Sequence, residues 1–154
     1  MLEKKKYNKK IIIEQLKNYC VAEDKCKWDI IKKMNKLRIF ENEQENILEI
    51  LLEEKYIDEE RYSRSFCRGK FKINKWGKLK IHAELRKKNI SNEIIIKGFK
   101  EINDLEYQEQ LNNLYNKKKS TINEKNHFIK NNKIAIYLIN KGYENDLVWA
   151  KLKE

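Results

Sequence analysis

Three stretches of this chain repeat one another at a spacing of about fifty residues, and that periodicity limits the fold more than any other feature. Ile30/Met34, Ile81/Leu85 and Ile134/Leu138 are apolar pairs four residues apart. Four residues is one helical turn, so each pair lies on one face of a helix. Five residues after the second member stands an apolar stop: Ile39, Ile90 and Tyr143. Asn89 and Gly142 precede the last two stops, and both residue types tolerate the left-handed backbone that ends helices. Met34 lies 51 positions before Leu85, which lies 53 before Leu138. A tandem repeat explains these coincidences together.

A second short helix is expected after each stop. Asn42-Glu43-Gln44-Glu45 has the form of a capping box ahead of Ile47, Leu48, Leu51 and Leu52. Ser91 or Asn92 can cap the helix carrying Ile94, Ile95 and Phe99, and Asn145 the helix carrying Leu147, Val148 and Leu152. A further helix is expected before each central one: Ile12, Leu16, Tyr19 and Cys20 mark the first, Tyr62, Phe66 and Ile73 the second, and Tyr107, Leu111, Leu114 and Tyr115 the third. Residues 116–126 read as either a loop or a solvated extension of a helix. The chain has no proline, so no helix interior loses a donor to it. The expectation is an all-α protein of three tandem three-helix units, 1–57, 58–103 and 104–154. Each unit has a thin core that its neighbours complete.

Charge is concentrated in the second unit. The formal net charge is +11, and residues 61–100 hold 13 Lys and Arg against Glu84 and Glu93 alone. Residues 1–60 sum to −1 and residues 101–154 to +1. Just upstream, Glu41 to Glu60 carries nine acids and the single base Lys55. Such asymmetry marks a candidate contact surface for an anionic partner. On α-helical geometry Arg61, Arg64 and Arg68 form one stripe, while Tyr62, Phe66, Gly69 and Ile73 form a second, packing stripe. Downstream, Lys78, His82 and Arg86 follow one flank of the central helix, with Lys80 and Lys87 on the other. Arg61, Arg64, Arg68, Lys72, Lys78, Lys80, Arg86 and Lys87 are the candidate contacts, the arginines because their fork bonds phosphate or carboxylate bidentately. Tyr62 and Phe66 fit a core stripe better than a base-stacking platform. Trp76, before Gly77, fits either a packed hinge or an exposed anchor.

Several chemistries are not expected. Cys20, Cys26 and Cys67 lack C-x-x-C spacing, and with only two histidines they suggest free thiols in a reducing compartment rather than zinc or disulfides. No apolar run approaches the roughly 20 residues of a bilayer span, and no signal sequence is read, so a cytoplasmic protein is expected. There is no phosphate-cradling glycine loop, nucleophile elbow or H-E-x-x-H, so neither an enzyme nor a cofactor is expected.

Residues 56–66, Tyr-Ile-Asp-Glu-Glu-Arg-Tyr-Ser-Arg-Ser-Phe, and 76–90, Trp-Gly-Lys-Leu-Lys-Ile-His-Ala-Glu-Leu-Arg-Lys-Lys-Asn-Ile, together resemble the RecX family. That family opens on Y-[LI]-D-[DE]-x-R-[FY] and continues G-x-x-x-I-x-x-E-L-x-x-K-[GN]-I. Lys78 stands where the family usually has proline, Asn89 where glycine is usual, and Cys26 in the serine position of the first unit's cap, with Asp29 as its acid. Lys133-Ile134 and Lys141-Gly142-Tyr143 resemble the family's closing segment. The resemblance implies an elongated, curved helical array, a monomer when free. It would lie in the groove of the RecA–DNA filament and restrain the recombinase, placing it in homologous recombination, DNA repair and the SOS response. The alternative is a free-standing protein that binds single- or double-stranded DNA without sequence preference, through phosphate contacts alone.

Overall fold

The structure, a computed structural model, describes residues 8–154. Among them the chain is all-helical: α1 Lys9–Ala22, α2 Lys27–Lys36, α3 Glu41–Glu53, α4 Glu59–Lys72, α5 Lys78–Lys87, α6 Asn92–Phe99, α7 Asp104–Thr121, α8 His127–Asn140 and α9 Asn145–Leu152. The most closely packed helix pairs lie within the consecutive sets α1–α3, α4–α6 and α7–α9. The tandem three-helix plan expected from the repeat is therefore what the chain builds.

The repeat has a common cause at its helix ends. At the end of α2, Arg38 N–H bonds to Asn35 O and Ile39 N–H to Met34 O. At the end of α5, Asn89 bonds to Arg86 and Ile90 to Leu85; at the end of α8, Gly142 bonds to Ile139 and Tyr143 to Leu138. These are three Schellman caps in the same register, each closed by a left-handed residue. The residues are Arg38 at φ 57°, Asn89 at 61° and Gly142 at 101°. Met34, Leu85 and Leu138 accept the long bond and are fully buried, and the stops Ile39, Ile90 and Tyr143 are buried above them. Lys55, at φ 62°, closes α3 in the same manner, with Tyr56 N–H on Leu51 O.

Several local details differ from expectation. In α3 the capping box does not form: the helix begins two residues earlier, and Gln44 is buried with its amide donating to Ile39 O and Asn35 Oδ1 at 2.9 Å. Gln44 thus ties α3 to the end of α2. Asn145 is the first residue of α9 rather than its cap, whereas Ser91 does cap α6. Residues 116–121 continue α7, and Asn126 caps α8 through the amides of Phe128 and Ile129.

The packing stripe of α4 is also displaced. Ser63, Cys67 and Phe71 are buried beside Tyr62, while Ile73 is 82% exposed and Gly69 borders open space. The cause is the close approach of α6. A methyl group on Gly98 would stand 2.3 Å from Ser63 Oγ and 2.9 Å from Cys67 Sγ, and Ser63 Oγ donates to Ile94 O. Small side chains make this contact, so hydrophobicity alone points to the wrong face.

Two cores result. Leu16, Ile30, Met34, Ile47 and Leu51 fill the first unit. The second core runs continuously through α4–α9 and also takes in Cys26 from the start of α2, with Trp28 packed against it. The second and third units thus share one interior, and the first is joined to them at its α1–α2 corner.

Candidate partner-binding surface

The arginine stripe of α4 is only partly available to a partner. Arg61 donates through Nε to Asp24 Oδ1 at 3.1 Å and through its terminal nitrogens to the carbonyls of Lys55 and Tyr56 at 3.2 Å. It therefore bridges the α1–α2 corner, the end of α3 and α4. Arg64 pairs with Glu60 at 2.9 Å and with Glu101 at 3.5 Å, and Arg68 shares Glu101 at 3.1 Å. Hydrogen bonding to Glu60 raises the Arg64 pKa, and the same bond lowers that of Glu60. Arg68 keeps 47% of its side chain exposed, so it is the member of the stripe best placed to reach outward.

The remaining candidates divide similarly. Lys78 lies 3.8 Å from Asp104 and 4.8 Å from the centre of the Tyr107 ring, against the third unit. Lys80 and Lys70 both stand over Trp76, at 4.6 and 4.9 Å, while Trp76 packs edge-on against Phe66. Trp76 is thus a half-buried hinge residue that still carries two cations. Arg86 is exposed and donates to Ile90 O, and Lys87 is 72% exposed with only Glu84 of its own helix as an ion-pair partner among the described residues. Lys72 is exposed at the end of α4, beside a groove shared with α7. The structure thus brings together Arg64 and Arg68, places Lys72, Arg86 and Lys87 outward, and uses Arg61 and Lys78 at the joints between units. His82 is half-buried, its Nε2 2.9 Å from Asn92 Oδ1.

Two joints were not visible as sites in the sequence. Between the first and second units, Lys88 donates to Asp29 Oδ1 at 3.0 Å and to Tyr62 Oη at 2.8 Å. Burial disfavours the Lys88 ammonium, but these two bonds outweigh it and lift its pKa above the lysine range. Burial likewise works against the Asp29 carboxylate, and the Cys26 N–H and Lys88 outweigh it, so its pKa is lowered. The weakened first cap survives through its acid, because Asp29 Oδ2 accepts from both Cys26 N–H and Cys26 Sγ. Cysteine suits the position since it is fully buried in the shared core, where burial pushes its thiol to about 12.

Between the second and third units the contact is backbone on backbone. Gly77 N–H donates to Lys141 O at 2.7 Å and Leu79 N–H to Gly142 O at 2.9 Å. Lys78 N–H donates to Tyr107 Oη, which donates to Glu144 Oε1 at 2.6 Å. Proline at position 78 would have no such hydrogen to give. Tyr143 Oη accepts from Gln110 and donates to Lys75 O.

Among the described residues no group of His, Cys, Asp and Glu could hold a metal ion, and no helix is long and apolar enough to cross a membrane. Cys20, Cys26 and Cys67 are free and buried.

Residues 58–97 match the family model described as RecX, second three-helix domain. The middle unit is similar to the second domain of RecX. The match covers the segment that carries the charge excess and the arginine stripe. A regulatory protein RecX of Lactobacillus johnsonii is 25% identical over 92 residues, which is 60% of this chain and 34% of that protein. The chain thus spans about a third of the length of the curated relative it matches. Two crystal structures share the whole architecture. A regulatory protein RecX superposes with a TM-score of 0.83 at 21% identity, covering 92% of this chain and 71% of that one. RecX from Lactobacillus salivarius superposes with a TM-score of 0.80 at 22% identity, covering 92% of both. At that identity the likeness establishes the RecX fold across all three units.

Proposed function

We propose that this chain is a non-enzymatic regulator of a RecA recombinase, binding along the RecA–DNA filament and limiting its extension or stability. The observation that carries this reading is the coincidence of the RecX second domain with the segment holding the charge excess. A filament of protein wound on nucleic acid presents phosphates and acidic side chains together, and a basic helical unit complements both. The units 1–57, 58–103 and 104–154 would then act as one tandem reader.

On this reading the partner contacts are Arg68, Lys72, Lys80, Arg86 and Lys87, with Arg61 and Lys78 chiefly holding the units in register for them and Arg64 tied within the second unit by Glu60 and Glu101. The protein would act in the cytoplasm, where the recombinase works, and as a monomer before it binds. Co-sedimentation with assembled RecA–DNA filaments, against the same DNA without RecA, tests the proposal. Pelleting that RecA strengthens well beyond that with bare DNA supports it; equal pelleting with bare DNA favours a free-standing DNA-binding protein.

A further inference from the structure

The chain's charge distribution hides a second basic surface. Residues 1–60 sum to −1, yet three lysines of α2 stand apart from the acids that balance them in the count. Among the described residues, the acids and bases of the first unit form ion pairs that engage Lys9, Lys17, Lys25, Arg61 and Lys88. Lys32, Lys33 and Lys36 have no carboxylate within ion-pair distance among the described residues, and they cluster on α2 around Trp28 and Tyr19. Lys32 lies over the Trp28 ring at 5.0 Å and Lys33 over Tyr19 at 5.3 Å.

Beside Trp28 opens a groove of about 650 Å³ between α2, the start of α4 and the end of α5. It is lined by Lys27, Trp28, Lys32, Asn35, Glu59 and Asn89, among others. Glu59 Oε2 is buried and has no hydrogen-bond partner among the described residues, although the carboxylate also faces the Lys27 backbone N–H and ammonium. An acceptor left in that condition costs stability unless water or a ligand supplies a donor. The groove therefore combines an aromatic face, an unfilled acceptor and the ammonium groups of Lys27 and Lys32, with Lys36 in the adjoining groove on α2.

We propose that this groove seats one unpaired base of a single-stranded nucleic acid, stacked on Trp28 with a ring or exocyclic N–H donated to Glu59 Oε2, while Lys27, Lys32 and Lys36 meet the flanking phosphates. Lys32, exposed and flexible, leaves the ring for a phosphate as the base takes its place. Every base has a π-face and at least one such donor, so the site tolerates sequence. An acidic peptide would satisfy the lysines alone, leave Trp28 unused and meet repulsion from Glu59. A duplex would keep its bases out of reach. The proposal concerns the chain by itself and stands or falls independently of any action on RecA.

The test is fluorescence anisotropy with the full chain at fixed salt, using a labelled single-stranded 20-mer of thymidine, an abasic strand of the same length and a duplex. The thymidine strand is expected to bind about tenfold tighter than the abasic one, the scale of one stacked base. Trp28→Leu should erase that difference and Trp28→Phe should largely keep it. Because Trp28 also packs against the core, the surface pair Lys32→Gln/Lys36→Gln provides the second variant. It should weaken both strands alike and flatten the dependence of affinity on salt by about one to two phosphate contacts. Equal affinity for thymidine and abasic strands, a preference that survives Trp28→Leu, or an unchanged salt slope in the lysine pair would each overturn the proposal. So would Trp28-dependent binding of polyglutamate, which would make the partner a protein.

Discussion

Gly77 and Gly142 meet backbone to backbone: a methyl group on Gly77 would stand 2.3 Å from the Gly142 carbonyl carbon, and one on Gly142 2.4 Å from Lys80 Cβ. This contact joins the start of α5 to the end of α8, and so the second unit to the third. Gly77→Ala is expected to cost about 3 kcal/mol or more, at the upper end of overpacking, because backbone rather than a flexible side chain must move. Urea unfolding of the variant checks this, and an unchanged midpoint would show that the joint is soft.

The first joint rests on charge. Asp29 keeps only 13% of its side chain exposed and Lys88 27%. Lys88→Met removes the ammonium and leaves the carboxylate buried, which is expected to destabilise by about 3 kcal/mol. Lys88→Met combined with Asp29→Asn should cost less than the sum of the two single variants. Additive costs in that double-mutant cycle would mean that the pair is not coupled.

Arg38 sits where its two counterparts are Asn89 and Gly142. A non-glycine side chain in left-handed backbone is strained by about 1 kcal/mol. Arg38→Gly should therefore raise stability by up to about that amount and Asn89→Gly by less. Loss of stability in Arg38→Gly would contradict the repeat-cap account.

The same tyrosines that staple the units set an alkaline limit. Burial raises Tyr62 and Tyr143 from 10.0 to about 12, and Tyr107 is raised as well, by burial and its bond to Glu144. The folded chain holds these protons more tightly than the unfolded one. Their stabilisation is complete below pH 10 and is lost as pH rises through the folded values. Urea midpoints measured from pH 8 to 12 should fall above about 10, less steeply in Tyr143→Phe. A flat profile across that range would contradict the buried-phenol account.

Much of the fold could be read from the sequence because Met34, Leu85 and Leu138 each serve two purposes, core residue and acceptor of the capping bond. Burial and the cap demand the same register, so the apolar pattern carried it. The face of α4 was misread because Ser63 and Cys67 pack against Gly98, where closeness rather than hydrophobicity decides burial. Arg38 gave no composition signal for a left-handed turn. The α4 arginines were legible as a stripe, but their partners Asp24 and Glu101 lie 37 and 33 or more residues away in the chain, so their engagement was not. The groove at Trp28 was concealed for the opposite reason. The acids of α3 cancel the lysines of α2 in any count along the chain, while helix geometry turns the two away from a common groove.

These placements also decide how the regulatory reading should be probed. Reversing Arg64 would set a glutamate against Glu60 and Glu101 and disturb the fold itself. Arg68, Lys72, Arg86 and Lys87 can be changed with less structural consequence. The most direct measurement is the DNA-dependent ATPase rate of RecA titrated with this protein, wild type against Arg68→Glu/Lys72→Glu/Arg86→Glu/Lys87→Glu, with helicity verified in both. The account predicts that the wild type depresses the rate at substoichiometric amounts and that the reversed variant does not. A rate unaffected by the wild type, or depressed equally by both, would contradict it.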